Sequence, residues 1–343
     1  MNLENIVNTI KNNNKILADI CDYFQIHYKS IDLIHYTVRS VNDIRMQFNI
    51  DNNWVLKIAS CKNYDKEFFI ETDKLIDNYN KVGIYSPRYK KSKYDTYLYE
   101  FDFENIAFIA WIEEYAPYKI CTSEEYTEDL KLQVLEETSK YMDKYTDKDI
   151  MTRNSMWSII ELSTWDDKID EKEENYILLR EALLDINEID LVSKLDQVNK
   201  DCRDLIKDKI KDLRKCSIQG DLNPSNILIK DGKFIGLIDF NMAGKEVNIN
   251  HILNETRYDL SVEDFEYLTA KEIFDKITNY RQYLLGHIFK YYKLDALEIE
   301  TWDYYRKIVD LFLFPNVSLW RYFIKENKNV NKVVELINLI MES

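Results

Sequence analysis

Residues 219–240 read QGDLNPSNILIKDGKFIGLIDF, and the fold turns on this stretch. The chain has 343 residues and only 6 glycines, and Gly220, Gly232, Gly236 and Gly244 fall within the window or just beyond it. ILI (227–229) and FIGLI (234–238) read as two apolar strands around KDGK, and Asp-Gly is a strong hairpin turn signal. The hairpin holds Asp221 and Asn226 at one end and returns Asp239 to that same end. Two acids and an amide converging at the open end of a small sheet suit Mg²⁺, which prefers oxygen ligands. Asp221 and Asn226 read only as turn-forming residues would leave unexplained why Asp239 follows directly on an apolar strand.

Outward from this island the hydrophobic period changes twice. Residues 3–25 carry apolar positions at helical spacing, among them Ile6, Ile10, Ile16, Ile20 and Phe24. IHYTVRS (34–40), DIRMQFNI (43–50) and WVLKIAS (54–60) then read as three strands. Asp51, Asn52 and Asn53 form a tight connection between the second and third. A polar helix over 64–81 ends at Gly83 and Pro87. Two more strands follow at YDTYLYEF (94–101) and IAFIAWI (106–112). Beyond them the pattern is mostly helical: a capping box at Thr122 and Glu125 before a helix reaching 145, helices over 174–190 and 192–213, and helical periodicity from 260 to 341.

The formal net charge of −15 argues against a broad nucleic-acid face, which needs a basic excess, and against docking on anionic lipid. It simply serves solubility, or attracts a cationic small molecule where carboxylates line a cleft. Cys21, Cys61, Cys121, Cys202 and Cys216 are scattered and odd in number, as expected of free thiols in a reducing compartment. His27, His35, His251 and His287 show no zinc spacing. The N-terminus lacks the basic start and apolar run of a signal peptide. IAFIAWI, the longest apolar run, has a buried strand's length and not that of a membrane span. A cytoplasmic protein is expected.

The motif resembles the catalytic region of the aminoglycoside phosphotransferase and choline kinase family, whose usual form is HGDLHPGN followed by a hairpin and IDF. The resemblance implies an α+β, bilobal protein-kinase-like fold. It predicts an N-terminal lobe over 1–112 with a small antiparallel sheet, and a mainly helical C-terminal lobe over 113–343 that carries the catalytic loop and hairpin at 217–244. It implies transfer of the γ-phosphate of ATP or GTP to a hydroxyl of a small acceptor, possible classes being aminoglycosides, choline and amino sugars. Asp221 would orient the acceptor hydroxyl and take its proton, and Asn226 and Asp239 would hold Mg²⁺ on the nucleotide. Lys57, among Val55, Leu56 and Ile58, would contact the phosphates. The alternative for it is a snorkelling edge lysine. Glu71 would be its carboxylate partner, with Glu67 one turn earlier as the rival. The main chain at Ile112, Glu113 and Glu114 would meet the base. Glu255, Asp259, Trp302 and Tyr304 could wall a cationic acceptor, or serve as surface acids and core aromatics.

The chain departs from the family form at three positions. Gln219 and Asn223 stand where histidines are usual, and Ser225 replaces a glycine. The first histidine braces the loop, and a glutamine can still donate an N–H to a nearby carbonyl. No glycine-rich phosphate loop is present, and Ser40, Asn42 and Asp43 form the turn in its place. The alternative reading is a catalytically weak kinase-like nucleotide-binding or structural protein. Retention of Lys57, Asp221, Asn226 and Asp239 together argues against it.

Overall fold

The computed structural model describes residues 3–60 and 63–343, so Cys61 lies outside the described residues. The first helical stretch is two helices, α1 (Leu3–Lys11) and α2 (Asn14–Tyr23), where the sequence predicted one. The break falls at asparagines that favour caps over helix interiors: Asn13 accepts the Ile16 N–H at 3.2 Å and so starts α2. Strands β1 (Ile31–Ser40), β2 (Asp43–Ile50) and β3 (Trp54–Ala59) follow, then α3 (Lys66–Lys81), β4 (Tyr99–Phe103) and β5 (Ile106–Glu114). They form a five-stranded sheet in the order β1-β2-β3-β5-β4, antiparallel throughout. Asp51 and Asn52 make the β2–β3 turn at φ 52° and 55°, the left-handed conformation that Asx residues tolerate. The apolar faces of α1 and α2 bury Ile6, Ile10 and Phe24 against Met46, Phe48 and Phe108 of the sheet.

β6 (Lys119–Ile120) precedes α4 (Glu128–Tyr145). The cap of α4 is Thr127, whose hydroxyl accepts the Leu130 N–H, and not Thr122 as the sequence suggested; both threonines precede acidic residues, and packing of Leu130 and Val134 sets the choice. Then come α5 (Glu171–Asp185), α6 (Ile189–Lys209), β7 (Lys215–Ile218), β8 (Ile227–Lys230), β9 (Lys233–Leu237) and β10 (Gly244–Val247). The chain ends in α7 (Asn248–Glu255), α8 (Val262–Tyr267), α9 (Ala270–Ile288), α10 (Ala296–Phe312), α11 (Phe314–Lys325) and α12 (Val330–Glu342). The fold is α+β, and among the described residues no helix is long and apolar enough to cross a membrane.

Two compact units result: residues 1–123 with 223–238, and residues 124–222 with 239–343. The predicted division at 112 thus falls later, and the hairpin expected in the C-terminal lobe groups with the first unit. Strand edges seek partners, and β6 pairs with β8, which pairs with β9. Tyr85 also donates to Ile235 O and accepts from Leu237 N–H, both at 2.9 Å. A Cβ at Gly236 would sit 1.9 Å from Tyr85 O, so only glycine permits this approach. The second unit holds the β7–β10 pair and a helical core that includes Leu195, Tyr305, Phe312 and Trp320. Trp302 and Tyr304, both partly buried, pack against that core.

Candidate active site

In the second unit β7 delivers the chain to Gly220, at φ 86°, where a Cβ would lie 2.3 Å from Met242 O. The preceding Gln219 is fully buried. Its Oε1 accepts the Asp221 N–H at 2.7 Å, and its Nε2 donates to Asp239 O at 2.8 Å. One amide side chain thereby satisfies a donor and an acceptor from two segments, the brace expected of the residue that replaces histidine. Asp239 has φ 58° and ψ 75°. A non-glycine residue in this region carries strain, which concentrates at functional positions. Trp157, which sequence reasoning did not single out, donates its Nε1–H to Gly220 O at 2.6 Å.

In the first unit Asn226 ends the single turn Pro224–Asn226 and is buried. Its N–H donates to Asn223 O at 2.8 Å, and its carbonyl accepts the Ile238 N–H at 2.9 Å. The β8–β9 register, with its turn at Asp231 and Gly232 in positive φ, therefore sets Asn226 against the residue immediately before Asp239. Asn223 serves the turn through its carbonyl.

Lys57 lies on β3 opposite Trp111 of β5. Its ammonium pairs with the Glu113 carboxylate at 3.0 Å, both side chains being under 10% exposed. Trp111 Nε1–H donates to the same Glu113 oxygen at 2.9 Å. An ion pair of this kind answers the snorkelling alternative, since a snorkelling ammonium reaches water. It also adds a partner that the sequence did not name, because residues two apart on one strand share a face and pair diagonally across a sheet. Glu71 is half-buried on the α3 face of Phe68 and Leu75, whereas Glu67 is exposed. Ile112 O accepts the Lys90 N–H at 2.8 Å and Glu114 N–H donates to Arg88 O at 2.9 Å, so these groups are engaged in the sheet. Of the predicted acidic wall, Asp259 pairs with Arg257 at 3.1 Å and Glu255 stands 4.0 Å from His251.

Among the described residues no group of three or more His, Cys, Asp and Glu could hold a metal. That is compatible with Mg²⁺ here, because the ion takes one or two carboxylates and completes its shell with water and substrate phosphates. Asp239 and Asn226 each carry side-chain oxygen donors, the ligand type that such an ion takes.

Residues 161–246, which contain Gln219, Asp221, Asn226 and Asp239, match the model of the phosphotransferase enzyme family (APH). No curated protein matches the chain by sequence. Among solved structures, an amicoumacin kinase in complex with AMP-PNP and Ca²⁺ superposes with TM-score 0.53 at 14% identity, covering 100% of this chain and 96% of that one. A microcompartment-associated aminopropanol kinase gives TM-score 0.52 at 12% identity, covering 94% and 95%. Residues 161–246 of this chain are thus similar to the phosphotransferase enzyme family, and the chain has the fold seen in these small-molecule kinases.

Proposed function

We propose that the protein is a Mg²⁺-dependent kinase that transfers the γ-phosphate of ATP or GTP to a hydroxyl of a small, cationic acceptor. The observation that carries this reading is the Gln219 side chain, which ties the main chain of Asp221 to that of Asp239. The two aspartates assigned to proton acceptance and metal binding are thus held in fixed relation.

In the reaction the acceptor hydroxyl loses its proton to the Asp221 carboxylate. An O–P bond forms to the γ-phosphorus, the β–γ bridging P–O bond breaks, and the nucleoside diphosphate leaves. Mg²⁺, when bound by Asp239 and Asn226, would neutralise charge on the phosphates. Lys57, positioned by Glu113, would add a second cation toward them. The main chain near Ile112, Glu113 and Glu114 would meet the base. The four described cysteines, Cys21, Cys121, Cys202 and Cys216, are buried free thiols, which supports a reducing, cytoplasmic setting.

The test is single-turnover transfer with Mg²⁺-ATP and Mg²⁺-GTP across aminoglycosides, amino alcohols, choline and sugars. Asp221→Asn should lower the rate by about two to four orders of magnitude with little change in nucleotide affinity. Asp239→Ala should weaken Mg²⁺-nucleotide binding as well. Equal rates for wild type and Asp221→Asn would overturn the mechanism, and nucleotide binding without any turnover would favour a kinase-like binding protein.

A further inference from the structure

The segment between α4 and α5, residues 146–170, has no regular secondary structure of its own, yet it is pinned throughout. Lys245 N–H donates to Arg153 O at 2.9 Å, and Ser155 N–H donates to Lys245 O at 2.8 Å. The stretch 153–155 therefore runs along β10 as an added strand. A Cβ at Gly244 would lie 2.7 Å from Ser155 N, so β10 admits the segment only because that residue is glycine. Ser155 and Ser158 both donate to Glu246 Oε2, at 2.8 and 3.1 Å. Glu246 is 2% exposed. Its other oxygen accepts the Val247 N–H at 2.8 Å. The two serines bracket Trp157, and the Trp157 carbonyl accepts from Asn250 Nδ2 at 2.8 Å.

Beyond the tryptophan, Ile160 sits at φ 73°. A β-branched residue there is strained, and strain of this kind points to function. Its N–H is held by Asp170 Oδ2 at 2.9 Å, and Asp170 is locked by Arg203. The half-buried indole of Trp157 is fixed on both counts that matter. The ammonium of the fully buried Lys172 lies 5.2 Å from the ring centroid, a cation–π contact that sets the ring plane. The Nε1–H ends on Gly220 O at 2.6 Å, the carbonyl immediately before Asp221.

We infer that Trp157 is a positioning residue for the proposed phosphoryl transfer: it clamps the Gly220–Asp221 peptide from outside the family motif, with Glu246 and Lys172 as its anchors. The peptide plane that carries Asp221 is then held at both ends, by Trp157 at the Gly220 carbonyl and by Gln219 at the Asp221 amide. A serine-rich segment that looks like a plain connection becomes part of the catalytic loop's support. This inference rests on the kinase reading, but one arm of its test does not.

The experiment uses Trp157→Phe, which keeps the ring and removes only the N–H, with Glu246→Gln as a second variant that loosens the same strap. Hydrogen–deuterium exchange at the Asp221 amide should quicken about fivefold in Trp157→Phe, the worth of one hydrogen bond. With water as acceptor, hydrolysis of Mg²⁺-ATP or Mg²⁺-GTP should lose about tenfold in kcat with unchanged KM, as expected when orientation alone is impaired. Exchange and kcat equal to wild type in a folded Trp157→Phe protein would overturn the inference. A rise in KM together with a lower Tm would also overturn it, by showing a merely structural role. Wild-type protein that turns over neither nucleotide would sink the kinase reading instead, and the exchange arm would still decide whether Trp157 holds the loop.

Discussion

Asp221 and Asp239 are joined through a single buried amide, Gln219, which accepts from the amide of the first and donates to the carbonyl of the second. The relationship makes a stability prediction separate from catalysis. Gln219→Ala removes both bonds and leaves a buried N–H and C=O without them, at a cost of about 3 kcal/mol in urea denaturation, since each orphaned group costs about 1–3 kcal/mol. Turnover should fall more than tenfold at saturating nucleotide. A variant as stable and active as wild type would show that the loop needs no brace.

The Lys57–Glu113 pair calls for a double-mutant cycle. Both side chains are almost fully buried, and removing one partner of a buried pair costs about 3–5 kcal/mol because the other charge is stranded. Glu113→Leu and Lys57→Met should each be strongly destabilising. The double variant should be less so than their sum, with a coupling energy above about 1 kcal/mol. Additive effects would mean that the pair is incidental. Lys57→Met should also abolish the rise in Tm that Mg²⁺-ATP or Mg²⁺-GTP gives the wild type.

Acid should release the Asp170–Arg203 lock. Burial by itself would raise the Asp170 carboxyl, but the Arg203 hydrogen bonds and charge, with the N–H groups of Ile160 and Glu173, hold it below the usual range. A depressed folded pKa contributes stability above the ordinary aspartate value of about 3.9, lost as pH falls through the lower folded value. The stability gap between wild type and Asp170→Asn should therefore be constant near neutrality and shrink below about pH 4. A gap independent of pH from 7 to 3 would remove Asp170 from the acid response.

Two glycines should respond oppositely to alanine. Gly236→Ala places a Cβ against Tyr85 O and should cost more than about 2 kcal/mol, as overpacking does, while loosening the hairpin that carries Asn226. Gly286→Ala lies inside α9 with nothing within 4 Å of the new carbon, and should stabilise by about 0.5–1 kcal/mol. Thermal denaturation of the two variants reads both signs.

Local chemistry made much of this protein legible in one dimension. The Asp-Gly hairpin, the alternation of β1 to β3, the turn at Asp51 and Asn52 and the spacing of Asp221, Asn226 and Asp239 all rest on near neighbours, whose backbone preferences are written in residue type. The bracing role of Gln219 was implied by the resemblance, and the donor its amide carries is written in its residue type. What needed the tertiary structure depends on partners far apart in the chain. The Lys57–Glu113 pair requires the β3–β5 register. The grouping of the hairpin with Tyr85 and β6 requires a choice among strand edges. The engagement of Ile112 and Glu114 requires residues 88–90 to lie beside β5. Trp157 reaches Gly220 only because Gly244 lets residues 153–155 pass along β10. A tryptophan between two serines carries no periodic or motif signal, and its purpose exists only where packing brings a carbonyl to its N–H.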